Sequence, residues 1–471
     1  MNLSNKRSDL QNDFDALHQA FQQSGGLTYR CRIARLKALS SVIRKRKEDF
    51  VKAISEDFGG RAREETLGGE VLPVVEEIRH VLSNLSTWMA DDRRSVPWWH
   101  LPASARVVHQ PLGVVGVLAP WNYPMCLAVG PLISAIAAGN RVLLKPSEYT
   151  PCTTDLLAET LGEVFTSDEV RVVSGDWKVG EAFSALPLDH LIFTGATEIG
   201  RKVMASASAS LTPVTLELGG KSPVLIHDSY SMKSAADRVL LGKVWNAGQT
   251  CIAPDYVLCP KGKRDEFVQA LRELSTTRYP RIKDSPGYTA VHPRHRTRIQ
   301  QWVMDAKSQG GEVIELNPGQ EDLTDSPRFP LFVVVNPTEE MCCMKEEIFG
   351  PILPVVTYET LDEAIAFINA RPRPLALYYF DGNTKRGTEV RHRTRAGAMV
   401  TNAVLRHFAA PALPFGGVGE SGLGAYHGQN GFVRFSHAQS VYRGGWPPVL
   451  PWVMRPPYGR LINGVLKLLI R

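Results

Sequence analysis

The chain has 471 residues, of which 44% are hydrophobic and 22% charged. This composition excludes a disordered or fibrous protein and supplies apolar mass for two or three packed domains. A net charge of +6 suits anionic ligands, but no dense Lys/Arg stripe with interleaved aromatics occurs, which excludes a nucleic-acid-binding footprint.

Residues 1 to about 92 are expected to be helical. Apolar positions recur at helical spacing at Ile33, Leu36, Leu39 and Ile43, and again at Val71, Val74, Val75 and Ile78. Gly59-Gly60 punctuates the two runs. Residues 96–102 are rich in proline and tryptophan and read as a connector, and 105–110 read as an isolated strand. From Gly113 the rhythm changes. Short apolar strands at 114–118, 141–144, 170–173, 190–193 and 214–217 alternate with loops and helices. The long apolar stretch at 125–138 is broken by Gly130 and Pro131 and is too short to span a bilayer. A second alternating region runs from Ser222 to about 405, with strands at 223–226, 256–258 and 332–335. The tail from Arg443 is proline-rich and ends in a short apolar helix over 461–470.

The expected fold class is α/β, with two doubly wound parallel-sheet domains and a small bridging β-element. Residues 1–217 form the cofactor-binding unit, with 103–111 assigned to the bridging element. Residues 218–405 form the catalytic unit, and 406–471 a return segment, bridging element and tail helix. Ligands in such sheets bind at the carboxyl ends of the strands, where the loops of this chain carry their polar residues.

Seven cysteines occur, with irregular spacing and no CxxC pair, so neither a zinc knuckle nor a redox dithiol is expected. The polar start Met1-Asn-Leu-Ser-Asn-Lys-Arg7 has no apolar signal core, and the expected compartment is the reducing cytoplasm. Cys251 differs from the other six. Gly248-Gln-Thr precedes it and Pro254 follows, which suggests an accessible loop and a thiol able to act as a nucleophile. A small buried hydrophobe is the alternative. Glu217 ends a strand before Gly219-Gly220, so it is either an exposed turn residue or a base facing a glycine-lined cleft. Asn122, between Trp121 and Tyr123-Pro124, is a turn residue or an amide donor for an oxyanion.

Gly220-Lys-Ser222 fails as a P-loop, because Thr215 stands where glycine is required. Gly195, Ala196, Thr197, Glu198, Ile199 and Gly200 follow a strand and open a helix, a place that suits a pyrophosphate. Lys145 and Glu148 follow the strand 141–144, where they are either ligands of ribose hydroxyls or an ordinary charged helix turn. The basic runs Arg44-Lys-Arg-Lys47 and Arg391-His-Arg-Thr-Arg395 read as solvated faces. No pattern suggests a metal.

Taken in order, Pro120-Trp-Asn-Tyr-Pro124, Leu144-Lys-Pro-Ser-Glu148, Phe193-Thr-Gly-Ala-Thr-Glu-Ile-Gly200, Leu216-Glu-Leu-Gly-Gly-Lys221, Gly248-Gln-Thr-Cys251 and Glu347-Ile-Phe-Gly-Pro351 resemble the aldehyde dehydrogenase superfamily over residues 30–440. Cys251-Ile-Ala-Pro-Asp-Tyr256 and Leu413-Pro-Phe-Gly-Gly-Val-Gly419 resemble its class 3 branch. Phe58-Gly-Gly-Arg-Ala-Arg-Glu-Glu-Thr66 and Pro456-Pro-Tyr-Gly459 are most similar to coniferyl aldehyde dehydrogenases. His407-Phe-Ala-Ala-Pro411 is less acidic than that subgroup's pattern, which bears on the substrate and not on the chemistry.

The resemblance implies that Cys251 attacks an aldehyde, that Asn122 holds the oxyanion and that Glu217 activates the hydrolytic water. It also implies NAD as cofactor, with NADP as the alternative. Lys145 and Glu148 would meet the adenosine ribose, 195–200 the pyrophosphate, Glu347 the nicotinamide ribose and Phe349 the nicotinamide. Glu148 would clash with a 2′-phosphate, which favours NAD. The implied substrate is a small aldehyde, aromatic as in coniferyl aldehyde, or a medium or long-chain aliphatic one. A redox-silent thiol esterase is a further alternative, and the family suggests a homodimer. The tail helix reads either as a membrane-surface contact or as packing over the substrate entrance or a neighbouring subunit.

Overall fold

The computed structural model describes residues 3–446 and 454–470, so part of the proline-rich stretch after Arg443 lies outside the described residues. The amino-terminal fifth is helical, as its periodicity requires. Helices span Leu3–Ser24, Tyr29–Lys45, Lys47–Phe58 and Leu72–Trp88. Leu36, Leu39 and Ile43 of the second helix and Val74, Ile78, Val81 and Leu85 of the fourth are buried on one continuous core. The Thr28 hydroxyl accepts from the Cys31 N–H and caps the second helix. Gly59, at φ 72°, ends the third in the left-handed conformation.

Strands β1 (Asp92–Arg94) and β2 (Ser104–Pro111) come next, then five parallel strands: β3 (Val114–Leu118), β4 (Arg141–Lys145), β5 (Val170–Val172), β6 (His190–Thr194) and β7 (Val214–Glu217). β3 and β4 are buried at every position, and only a strand covered on both faces needs an unbroken apolar run. The helix Cys126–Ala138 covers this sheet and is buried throughout. It runs unbroken through Gly130 and Pro131. Its all-round burial outweighs the hydrogen bond that a proline removes.

The second alternating region holds β8 (Pro223–Ile226), β9 (Tyr256–Pro260), β10 (Glu312–Leu316), β11 (Leu331–Val335), β12 (Ile352–Tyr358), β13 (Ala376–Phe380) and β14 (Ala398–Thr401). They form a seven-stranded sheet in the order β10-β11-β12-β9-β8-β13-β14, parallel except for β10. The chain then returns. β15 (Gly422–Leu423) joins the first sheet beside β7, giving the order β15-β7-β6-β3-β4-β5.

The strand expected to stand alone at 105–110 is the middle of an antiparallel sheet. β2 pairs with β1 on one side and with β16 (Ser436–Arg443) on the other, from Ser436↔Pro111 to Arg443↔Ser104. In the tail helix Arg460–Leu469, Ile462 is buried while Leu461 and Leu468 are exposed. Among the described residues no helix is long and apolar enough to cross a membrane.

The order of the first sheet places its switch point between β3 and β6. β4 and β5 extend to one side and β7 to the other, and the carboxyl ends of the strands at such a point are where ligands bind in open parallel sheets, forming a crevice there. The loops after β3 and β6, which carry Asn122 and residues 195–200, flank that crevice.

Candidate active site

The turn that carries Cys251 has an unusual backbone. Asn246 and Ala247 both sit at φ 52°, and Gly248 follows at φ 72°. A β-carbon on Gly248 would stand 2.6 Å from the Gly350 carbonyl oxygen, so only glycine fits. Non-glycine residues in this region cost free energy and persist only where surroundings over-determine them. The surroundings do so here. The Asn246 N–H donates to Glu65 at 2.8 Å, and its side-chain amide donates to the Asn122 and Gln249 carbonyls at 3.1 Å each. Gln249 spans the loop, donating to the Asn246 and Ala290 carbonyls and accepting from the His292 N–H. The Thr250 and Tyr123 hydroxyls bond at 2.8 Å.

Cys251 itself is partly buried. Burial pushes its thiol up, and the Glu347 and Glu217 carboxyls add to that. Glu217 ends β7, where its carbonyl accepts the Gly195 N–H at 3.0 Å and Gly422 pairs beside it. Its carboxyl is buried, and among the described residues neither oxygen has a hydrogen-bond partner. Burial raises it well above the carboxylate range.

The glycines after Glu217 seat a different acid. A β-carbon on Gly219 would fall 1.9 Å from a Glu347 carboxyl oxygen. Burial first, and Asp255 second, push Glu347 up to about 8, while a Gly220 N–H bond opposes them. Asn122 is 3% exposed, and one amide hydrogen is spent on the Gln249 carbonyl at 3.1 Å. An amide carries two N–H donors, so the second is free for a ligand.

Residues 4–441 match the family model described as the aldehyde dehydrogenase family. The chain belongs to that family. A Pseudomonas aeruginosa protein named probable coniferyl aldehyde dehydrogenase is 46% identical over 443 residues, 93% of this chain and 92% of the relative. The substrate-bound state of Staphylococcus aureus AldH matches with a TM-score of 0.91 at 33% identity, covering 98% of this chain and 99% of that one. Mycobacterium tuberculosis aldehyde dehydrogenase complexed with NAD+ matches at a TM-score of 0.83 and 27% identity, over 92% and 90% of the two chains.

In this aldehyde dehydrogenase the remaining candidates lie along the same strand ends. Lys145 closes β4, almost fully buried, and its ammonium donates to the Pro146 carbonyl at 3.1 Å and to Glu148 at 3.3 Å. Gly195 packs on the Phe193 ring and Gly200 on Leu218, each too closely for a β-carbon. Between them Ala196 stands at the N-cap of helix Thr197–Ser208 with no side-chain cap, so the positive end of the helix is open. The Thr197 hydroxyl donates to the Glu420 carbonyl at 3.1 Å, Glu198 points outward, and Ile199 is 46% exposed. Phe349 stands at φ 48° with its ring 5.6 Å from Trp121, edge to face.

Several supporting residues escaped sequence reasoning. Arg61 and Glu70 form a fully buried ion pair at 2.9 Å. The Arg61 guanidinium also donates to the Asn122 carbonyl, and Glu70 accepts the Met125 and Cys126 N–H groups. Lys221, the residue of the rejected P-loop, pairs with Asp255 and donates to the Cys343 and Glu346 carbonyls. Asp255 in turn accepts the Ile348 N–H at 2.9 Å, so this buckle fixes the segment that carries Glu347 and Phe349. A charged residue inside an otherwise apolar window, as Glu70 is in Gly69-Glu-Val-Leu72, is the one local signal that pointed to such pairs. Among the described residues no group of three His, Cys, Asp or Glu side chains could hold a metal ion.

Proposed function

We propose that this enzyme oxidises an aromatic aldehyde of the coniferyl type to its acid with NAD, through a cysteine thiohemiacetal and a thioester. The observation that supports this is the left-handed turn at Asn246–Gly248 that leads into Cys251, tied through the Gln249 carbonyl to the Asn122 amide, with the Glu217 carboxyl acting electrostatically on the thiol. NAD fits the residues present. The uncapped helix start at Ala196 and Thr197 offers N–H groups to a pyrophosphate, Lys145 and Glu148 offer a donor and an acceptor to a ribose, and Glu347 offers a second acceptor beside Phe349. Glu148 at the ribose disfavours a 2′-phosphate and hence NADP.

The sulfur of Cys251 bonds to the aldehyde carbon, and the thiol proton is released to solvent. The Asn122 amide and the Cys251 N–H hold the oxyanion; a donor of this kind is worth about 3 kcal/mol. Bound NAD supplies the hydride acceptor that turns the adduct into a thioester. Glu217 then takes a proton from water, the water oxygen bonds to the carbonyl carbon, and the C–S bond breaks to free Cys251.

The aromatic substrate class is supported by a cluster of rings on the return segment. Phe415 stacks on His407 and His427, and Phe408 meets it edge to face. Flat apolar walls of this kind favour a planar ring. Its alignment with a relative named for coniferyl aldehyde supports the same class.

Residues 1–217 serve as the cofactor-binding unit, 218–405 as the catalytic unit and 406–471 as the return and bridging segment. β16 is an eight-residue strand with one unpaired edge, which a second copy of the chain would cover in a homodimer. All seven cysteines are free, which supports the reducing cytoplasm. The test is NADH formation with coniferyl aldehyde against hexadecanal, in wild type and Cys251→Ala. A large preference for hexadecanal would overturn the aromatic assignment, and turnover by the variant would overturn the mechanism. Sedimentation of the purified protein as a monomer at micromolar concentration would overturn the dimer.

A further inference from the structure

The run Arg391-His-Arg-Thr-Arg395 has no part in the chemistry above. In the folded chain it meets the turn Arg371-Pro-Arg373 and the glycine-dense loop at Gly419-Glu420 around one open cleft of about 570 Å³. That size lies within the range of small-molecule sites. The cleft presents Arg371, Arg373, His392, Arg393 and Arg395, with Glu420 as the one acid.

These groups are not equally engaged. Arg371 pairs with Glu339, and Arg393 pairs with Asp362 and Glu389. Glu420 is taken by Arg201 at 3.0 Å. Among the described residues no carboxylate pairs with Arg373 or Arg395. Arg395 is nevertheless held in place, because its guanidinium donates to the His392 and Thr394 carbonyls at 3.0 and 2.8 Å. Arg373 lies along Gly419, where a β-carbon would come within 4.0 Å of its guanidinium.

We propose that this cleft is an anion site, separate from the catalytic centre, for a small molecule that carries two or more linked phosphates. Two guanidinium groups without counter-charge, one of them preoriented by main-chain carbonyls, match phosphate oxygens in paired, fork-like contacts. The exposed imidazole of His392 adds a third donor, and the breadth of the cleft accommodates more than one phosphate. The site adjoins the cofactor region through a single residue: the Glu420 carbonyl accepts the Thr197 hydroxyl at the open helix start.

Titration calorimetry with inorganic tripolyphosphate, on the full chain with saturating NAD present, tests the proposal without any turnover. It is therefore independent of the substrate assignment. Saturable binding is expected, weakened at least tenfold by Arg373→Ala with Arg395→Ala. The control pair Arg44→Ala with Lys45→Ala, on the other basic run, is expected to bind as wild type does. Absence of saturable binding, its loss when NAD is added, or equal weakening by the control pair would each overturn the assignment.

Discussion

Gly219 and Glu347 occupy each other's space: the carboxyl lies where a β-carbon on the glycine would have to be, 1.9 Å from one of its oxygens. Glycine-glycine after the β7 strand is thus a seat for an acid delivered from 128 residues further along the chain. Replacing Gly219 by alanine must displace that carboxyl. If Glu347 binds the cofactor's ribose, Gly219→Ala raises the NAD dissociation constant by at least tenfold, the worth of about one charge-assisted hydrogen bond. Fluorescence titration measures this, and an unchanged constant would remove Glu347 from the cofactor site.

Glu217 and Cys251 separate by timing. Glu217→Gln keeps the acceptor oxygen but cannot take a proton from water, so the acyl-enzyme accumulates. A first-turnover burst of NADH is expected to survive, followed by a steady rate lower by roughly 100- to 10,000-fold. Rapid mixing resolves the two phases, and mass spectrometry detects the adduct on Cys251. A variant that loses the burst and the steady rate together would place Glu217 before the thioester.

The pH dependence follows from the direction of the shifts. Burial and neighbouring carboxyls raise Glu347 to about 8 and push the Cys251 thiol up, and burial, opposed by Arg434, pushes Glu217 up as well. Each group acts in its deprotonated form, and a raised pKa carries the protonated form to higher pH. For the protein without cofactor, the alkylation rate of Cys251 is therefore expected to climb from pH 6 to beyond pH 9. A rate already level at pH 6 would contradict this electrostatic picture.

Glu77 gives a stability prediction of its own. It is buried, its carboxyl is raised to about 7 by burial, and it accepts the Gly428 N–H at 2.8 Å. Its folded pKa exceeds the unfolded one, so the folded state binds the proton more tightly. Its contribution to stability is full below about pH 4.5 and is lost as pH rises through 7. Glu77→Gln keeps the acceptor and removes the titration. Relative to wild type, the variant should gain up to about 3 kcal/mol between pH 4.5 and 8, read from denaturant melts. Equal shifts at both pH values would show that Glu77 does not titrate with folding.

What could be read in advance divides along physical lines. β3, β4 and β6 are short apolar runs buried on both faces, and such runs identify themselves locally. β1 is Asp92-Arg-Arg94, exposed at every position, and β15 is two residues long; neither has a hydrophobic signature, because only pairing defines them. The helix through Pro131 contradicted its local rule since burial on all sides prevailed. Cys251, Glu217 and Asn122 stood out because each is polar and flanked by glycine, proline or apolar residues. Arg61, Glu65, Glu70 and Asp255 did not, because a charge reveals its purpose only when its partners, nine to more than two hundred residues away, come alongside.

The pairing of Gly422 with Glu217 joins residues more than two hundred positions apart. The strand bearing the acid therefore acquires its outer neighbour only after nearly the whole polypeptide has left the ribosome. A nascent or carboxyl-truncated chain holds Cys251 and Glu217 in its sequence, yet leaves β7 as a bare edge. A chain that stops before residue 422 thus lacks the backbone partner that covers the edge of β7 at Glu217.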